Sequence, residues 1–77
     1  MGHRQAGRFL DGFNIRAIER STEQECMDHC LQDEECKSID FQTDINKCYL
    51  NSANEAEEPG AMQENNISYV YRGKIIV

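Results

Sequence analysis

Residues 21–50 decide the fold of this chain, and they read STEQECMDHCLQDEECKSIDFQTDINKCYL. All four cysteines of the 77-residue sequence lie in this stretch, at Cys26, Cys30, Cys36 and Cys48. Its first part has apolar residues at three- and four-residue spacing, which is typical of an amphipathic helix. Its second part has two short runs of strand-like composition, separated by a polar turn. We therefore predict one helix followed by two strands.

The sequence also predicts where this helix begins and ends. Ser21 is suited to the N-cap position, where its hydroxyl accepts a hydrogen bond from a free amide of the first turn. Gln24 lies three residues later and would complete a capping box with Ser21. The helix is expected to end near Gln32, because residues 33–35 are all acidic and would lie at the negative end of the helix dipole.

The four cysteines are expected to form two disulfides. Cys26 and Cys30 lie one helical turn apart and point in parallel, which is poor geometry for a bond between them, so two connectivities remain. Cys30 is near the helix end and within reach of Cys36, which would leave Cys26 for Cys48. By loop closure, these two bonds would contribute roughly 2.4 and roughly 3.4 kcal/mol. A zinc site is disfavoured because the paired C-x2-C spacing is missing.

The order of these residues resembles a known family. The matching positions are the run C-x3-C-x5-C from Cys26 to Cys36, then Ile39 and Phe41, then Cys48-Tyr49-Leu50. With them, residues 9–72 resemble a PAN/apple domain. The resemblance implies an α+β fold in which one α-helix packs on an antiparallel sheet of about five strands. It also implies the disulfides Cys26–Cys48 and Cys30–Cys36.

The resemblance has one departure and sets the expected domain limits. Apple domains of plasma proteases carry a third disulfide that joins the two ends of the domain, and this chain has no cysteine in either terminal segment. The plain PAN form, with two core disulfides, is therefore the closer match. We expect the PAN/apple-like domain at residues 8–72. Residues 1–7 are expected to be an expression-tag remnant or a flexible N-terminus, and residues 73–77 a strand extension or linker.

Composition restricts the cellular context. A domain this small buries a modest fraction of its surface, and cysteine-stapled domains of this size belong to oxidising compartments. No apolar run is long enough to cross a bilayer, so membrane insertion is not expected. The net charge of −6 argues against nucleic-acid binding. We expect an extracellular module, secreted or at the cell surface, that is part of a multidomain chain.

Two sets of residues are candidates for binding or modification. If the first and last strands pair, the basic residues near the two ends would form a basic edge suited to sulfated sugars or an acidic protein surface. They are Arg16, Arg20, Arg72 and Lys74. Ordinary solvated charges at a sheet edge are the alternative. Asn66-Ile67-Ser68 matches the N-glycosylation acceptor rule.

No catalytic, cofactor or metal site is expected. Asp40, Asp44 and Asn46 lie near a turn but lack the glycine and terminal glutamate of a calcium loop, so they are interpreted as a hydrogen-bonding turn. His29 next to Cys30 does not make a nucleophile pair, because disulfide sulfur is not a thiolate. We expect a non-catalytic binding module for protein–protein adhesion. Carbohydrate binding and a purely structural spacer role are the alternatives.

Overall fold

The structure is a computed structural model, and it describes residues 2–64 and 66–74. The described residues form one α-helix, seven short strands and one 3-10 turn. The helix is α1 (Glu23–Gln32), and the 3-10 turn is Pro59–Ala61. The strands are β1 (Gln5–Ala6), β2 (Phe9–Leu10), β3 (Asn14–Ile18), β4 (Ser38–Gln42), β5 (Lys47–Asn51), β6 (Met62–Gln63) and β7 (Tyr69–Gly73).

Five of the strands form one antiparallel sheet in the order β1-β7-β4-β5-β3. Helix α1 packs against β4 and β5 in the middle of this sheet. The other two strands, β2 and β6, pair with each other in a small second sheet. The expectation of an α+β fold with one helix on a five-stranded antiparallel sheet is therefore confirmed.

Both disulfides implied by the family resemblance are present. Cys26 is bonded to Cys48, with Cα atoms 5.4 Å apart, and Cys30 is bonded to Cys36, with Cα atoms 5.2 Å apart. The first bond fastens the middle of α1 to β5, and the second closes the turn that follows the helix. All four cysteines are buried, together with the apolar side chains of Ile39, Phe41 and Leu50. This cluster is the core between the helix and the sheet.

The helix cap lies one residue later than the sequence analysis placed it. The N-cap is Thr22, whose hydroxyl accepts from the Glu25 amide at 3.1 Å, while the Glu25 carboxylate accepts from the Thr22 amide at 2.9 Å. The prediction of Ser21 with Gln24 was therefore wrong by one position. A carboxylate is a stronger acceptor than a side-chain amide, which favours the box closed by Glu25. The helix ends at Gln32 as predicted.

Strand pairing extends beyond both ends of residues 8–72, the range in which the domain was expected. Gln5–Ala6 pairs with β7, and β7 itself ends at Gly73. Residues 75–77, for which a strand extension or linker was expected, lie outside the described residues.

The face of the sheet opposite the helix is also covered. Alternation along β4 places Ile39 and Phe41 towards the helix, and Ser38 and Asp40 on the other face. There β2 and β6 pack with a second apolar cluster, whose buried members are Leu10, Ala53 and Tyr71. Central strand β4 is therefore enclosed on both faces, although it reads as alternating apolar and polar residues.

Candidate functional site

A small cavity opens on the sheet face opposite the helix. Its volume is about 140 Å³. Residues from β2, β3, β4, β5, β7 and the segment after β2 line it, among them Phe9, Asp11, Asn14, Asp40, Tyr49 and Tyr69. Asp11 and Asn14 are exposed, whereas Asp40 is only 2% exposed. The cavity thus leads from an exposed polar rim to a buried carboxyl group.

Three aromatic rings line this cavity. The centroids of Phe9 and Tyr69 are 4.7 Å apart, and those of Tyr49 and Tyr69 are 6.3 Å apart, both in tilted arrangements. The two tyrosine hydroxyls donate to the same acceptor, Gln42 Oε1, at 3.2 Å from Tyr69 and 3.4 Å from Tyr49. These contacts fix the rings in place, because each is held by a neighbouring ring and, for the tyrosines, by a hydrogen bond.

Asp40 supplies the buried carboxyl group. Its Oδ1 accepts from the Leu10 amide at 2.9 Å, and its Oδ2 accepts from Asn51 Nδ2 at 3.0 Å. Burial raises the pKa of Asp40 to about 7, against the lowering effect of these two hydrogen bonds, and the nearby Asp11 charge also raises it. At neutral pH the group is therefore poised between its neutral and charged forms.

This role of Asp40 was not predicted from the sequence. Asp40 was expected near a turn with Asp44 and Asn46, but it lies inside β4, and only the other two lie in the β4–β5 turn. In a strand whose apolar side chains point to one face, an acidic residue on the other face is ordinarily exposed to solvent. Here the two-residue strands β2 and β6 cover that face, and strands this short leave no periodic pattern in the sequence.

The structure does not bring the four predicted basic residues together at one edge. β1, not the strand that carries Arg16, pairs with β7, so that β4 and β5 separate Arg16 from Arg72. Arg20 is exposed in the connection between β3 and α1 and has a positive φ of 54°. Both arginines at this end of the sheet, Arg16 and Arg20, are exposed.

The other two basic residues make contacts within the fold. Arg72 Nε lies 3.0 Å from a carboxylate oxygen of Glu23 at the helix start. Lys74 Nζ donates to the backbone carbonyls of Cys30 at 2.9 Å and Asp33 at 3.0 Å. A cation at this place compensates the free carbonyls and the negative end of the helix dipole. Arg72 and Lys74 therefore tie β7 and the segment after it to the two ends of the helix.

The predicted glycosylation site lies in the turn before β7. Asn66 is half-buried. Its side-chain Oδ1 accepts a hydrogen bond from the Ser68 backbone amide at 3.2 Å, and its backbone amide donates to the Gly7 carbonyl at 3.1 Å. The neighbouring Ile67 is 93% exposed, so this turn is at the surface. Glycosylation at Asn66 stays a prediction.

Within residues 2–64 and 66–74, no group of three or more His, Cys, Asp or Glu side chains is placed to hold a metal ion. In the same residues, no helix is both long enough and apolar enough to span a membrane.

Comparison with known proteins agrees with the fold and the disulfides. The family model of the PAN domain matches residues 3–74. No curated protein sequence matches the chain. PAN domains are generally non-catalytic modules that bind proteins or carbohydrates, and those with structural disulfides occur in extracellular or secreted proteins. Because the match covers nearly the whole chain, and the two disulfides are those of the plain form, this chain belongs to the PAN domain family.

Proposed function

We propose that this PAN domain is a non-catalytic extracellular module for protein–protein adhesion within a larger secreted or surface protein. The observation that carries the proposal is the cavity walled by Phe9, Tyr49 and Tyr69. Aromatic residues are enriched at protein interfaces, and the residues that dominate binding energy cluster around desolvated pockets. An aromatic recess that ends at a buried carboxyl group has this composition.

The size of the cavity favours a partner's side chain over a free metabolite. Pockets for small molecules typically enclose about 300–1,000 Å³. The 140 Å³ found here is well below that range. A recess of this size suits one side chain of a larger partner, whose remaining contacts would lie on the surrounding surface.

The proposal predicts that truncating Tyr49 weakens binding to an extracellular partner. The immobilised domain would be exposed to extracellular fluid, and the captured proteins would be compared with those held by the variant Tyr49→Ala. We expect about a 30-fold weaker interaction for the variant, because aromatic residues at interface centres commonly contribute about 2 kcal/mol or more. Non-reducing peptide mapping would verify that the variant keeps both disulfides.

The matched control is Ile45→Ala, which removes an exposed apolar side chain from the β4–β5 turn. Partners lost with Tyr49→Ala and kept with Ile45→Ala would support adhesion through the cavity. Partners kept equally by both variants would place the adhesive surface elsewhere. Capture of no protein at all would favour the structural spacer role.

Sulfated-glycan binding is the second candidate, and the exposure of Arg16 and Arg20 favours it. In the described ranges neither residue forms an ion pair, in contrast to Arg72. Exposed guanidinium groups are suited to sulfate groups, although Arg16 shares a recess with the acidic residues 33–35. Arg72 and Lys74 would then contribute to stability more than to binding.

Heparin retention tests this candidate. If the second candidate holds, the domain is retained at low salt and the double variant Arg16→Ala, Arg20→Ala elutes earlier, because fewer charged contacts remain. Arg4→Ala is the control, because it also removes an arginine but one that already forms an ion pair with Glu23 at 3.2 Å. Absence of retention for the unmodified domain at low salt would exclude sulfated-glycan binding.

A further inference from the structure

Within residues 2–64 and 66–74, the buried carboxyl group of Asp40 forms no ion pair with a Lys, Arg or His side chain. Its hydrogen-bond donors are two neutral groups, the Leu10 amide and the Asn51 side chain. Asp11 at the rim adds a second carboxyl group to the same cavity. A buried carboxylate without a partner is costly, so a cation that reaches Asp40 from outside would be strongly favoured.

The walls of the cavity also suit a cation. The faces of aromatic rings carry negative charge density and attract ammonium groups within about 6 Å of the ring centroid. Lys47 already illustrates this on the same sheet face, because its Nζ lies 5.2 Å from the centroid of Tyr49. Lys47 is not among the residues that line the cavity, so the space beside Phe9 and Tyr69 is not filled by it.

The size of the cavity favours one kind of cation. Each carboxylate oxygen of Asp40 already accepts one hydrogen bond from the protein and keeps one further lone pair. A guanidinium group binds a carboxylate best by two parallel hydrogen bonds from a planar fork, which needs more room than the 140 Å³ cavity readily offers. A primary ammonium group is a compact charge that needs a single free lone pair. The cavity therefore fits an ammonium group better than a guanidinium group.

We propose that the cavity binds a primary alkylammonium group between Asp40, Asp11 and the aromatic rings, and that a lysine side chain of the partner protein supplies it. This inference rests on the proposed adhesion function in naming the partner's group. The 140 Å³ volume is about that of four to five water molecules in the liquid, which is enough for an ammonium group with part of its alkyl chain.

The test is a titration of the ¹⁵N-labelled domain, followed by the chemical shifts of its amides at pH 8, where the Asp40 carboxyl group is largely ionised. The probe is Nα-acetyl-lysine methylamide, and the matched neutral probe is Nα-acetyl-norleucine methylamide. We expect saturable shifts at Leu10, Asp40 and Tyr69 with the lysine probe only. Absence of saturation, or equal shifts with the neutral probe, would overturn the proposal.

Variants locate the ammonium group within the cavity. We expect Asp11→Asn to weaken the lysine probe about threefold to tenfold, because one of the two carboxylates is lost at an exposed rim. Asp28→Asn, which removes an exposed carboxylate from α1 on the opposite face of the sheet, should leave binding unchanged. Asp40→Asn should abolish binding, and Asp11→Asn keeps the proposal testable if that variant does not fold. Equal weakening by Asp11→Asn and Asp28→Asn would contradict a defined site.

A third probe, n-butylammonium, separates the two sources of the group. Tighter binding of the lysine probe would support a side chain of a protein, whereas tighter binding of n-butylammonium would overturn the lysine assignment in favour of a free amine. The test of the ammonium site can fail without contradicting the proposed adhesion. If partner capture depends on Tyr49 but the lysine probe does not bind, the ammonium inference fails and the proposed adhesion stands.

Discussion

Replacement of Cys26 and Cys48 together by Ala is expected to lower the free energy of unfolding by at least roughly 3.4 kcal/mol. The bond joins residues 22 positions apart, so its loss frees a long loop in the unfolded chain. Both side chains are fully buried in the main core, and their removal also leaves unfilled space there. A chain of this length has a total stability of about 4–12 kcal/mol, so the loss is a large part of it.

Urea unfolding at 25 °C would measure this effect. The matched control is the double variant Cys30→Ala, Cys36→Ala, which removes the bond spanning only six positions. These side chains are buried as well, so the expected loss is at least roughly 2.4 kcal/mol and smaller than the first, because a short loop restricts the unfolded chain less. Equal losses in both double variants, or a larger loss in the control, would show that loop length does not set the contribution of these bonds.

The helix and its disulfides could be predicted because their signals are local. Cap, apolar spacing and acidic stop all lie within residues 21–35, and the cysteine spacing supplied the family resemblance. The cap itself was displaced by one residue, since Ser21 and Thr22 are both good N-cap residues and the choice depends on which acceptor closes the box. Such a choice between adjacent residues is decided by geometry that the sequence does not contain.

The cavity could not be predicted, because it is formed by residues far apart in the chain. Phe9 and Tyr69 are in contact across 60 positions, and both meet a carboxyl group from the central strand. The polar face of β4 therefore looked solvent-exposed from its alternation alone. Short strands also explain why the expected basic edge does not form. The strand that carries Arg16 was expected to pair with β7, but the short strand β1 pairs with it instead.

The two faces of the sheet differ in what they bury. On one face the helix, the disulfides and the apolar cluster form a covalently closed core. On the other face the packing is thinner, and a polar cluster of Ser38, Asp40 and Asn51 is buried beneath two-residue strands. Asn51 Oδ1 is buried there without a hydrogen-bond partner in the described part of the chain. The helix face therefore holds both disulfides and the larger apolar cluster, whereas the opposite face buries the carboxyl group of Asp40.

Burial of the Asp40 carboxyl group leads to a prediction about how the stability of the domain depends on pH. The stability of the domain is expected to fall as the pH rises from about 4 to about 7, because of Asp40. Its pKa is raised to about 7 in the folded state from an ordinary value of 3.8. Between these values the folded chain holds a proton that the unfolded chain has released, so raising the pH favours unfolding. The full effect is about 4 kcal/mol, at 1.36 kcal/mol per pH unit.

Other groups near Asp40 do not reverse this sign. Asp11 faces it from the segment after β2 and raises its pKa further by charge repulsion. Tyr69 and Tyr71 face it from β7, and their own pKa values are raised, which keeps both neutral in this range. Hydrogen bonds from Thr22 and from Gln5 lower the pKa values of Glu25 and Glu55, so the stability that these two residues contribute is lost as the pH falls below their ordinary value of 4.5, at the acid end of the Asp40 window.

Comparison with Asp40→Asn isolates the contribution of Asp40. The amide can still accept from Leu10 but does not titrate, so the stability of the variant relative to the unmodified domain should rise by about 1.4 kcal/mol per pH unit across the window. Urea unfolding at a series of pH values from 4 to 8 would give this difference. Asp44→Asn, at an exposed turn, is the matched control, and a difference of the same slope in that variant would contradict the assignment to Asp40. A flat difference for Asp40→Asn would mean that the carboxyl group is better compensated in solution than its two neutral donors allow.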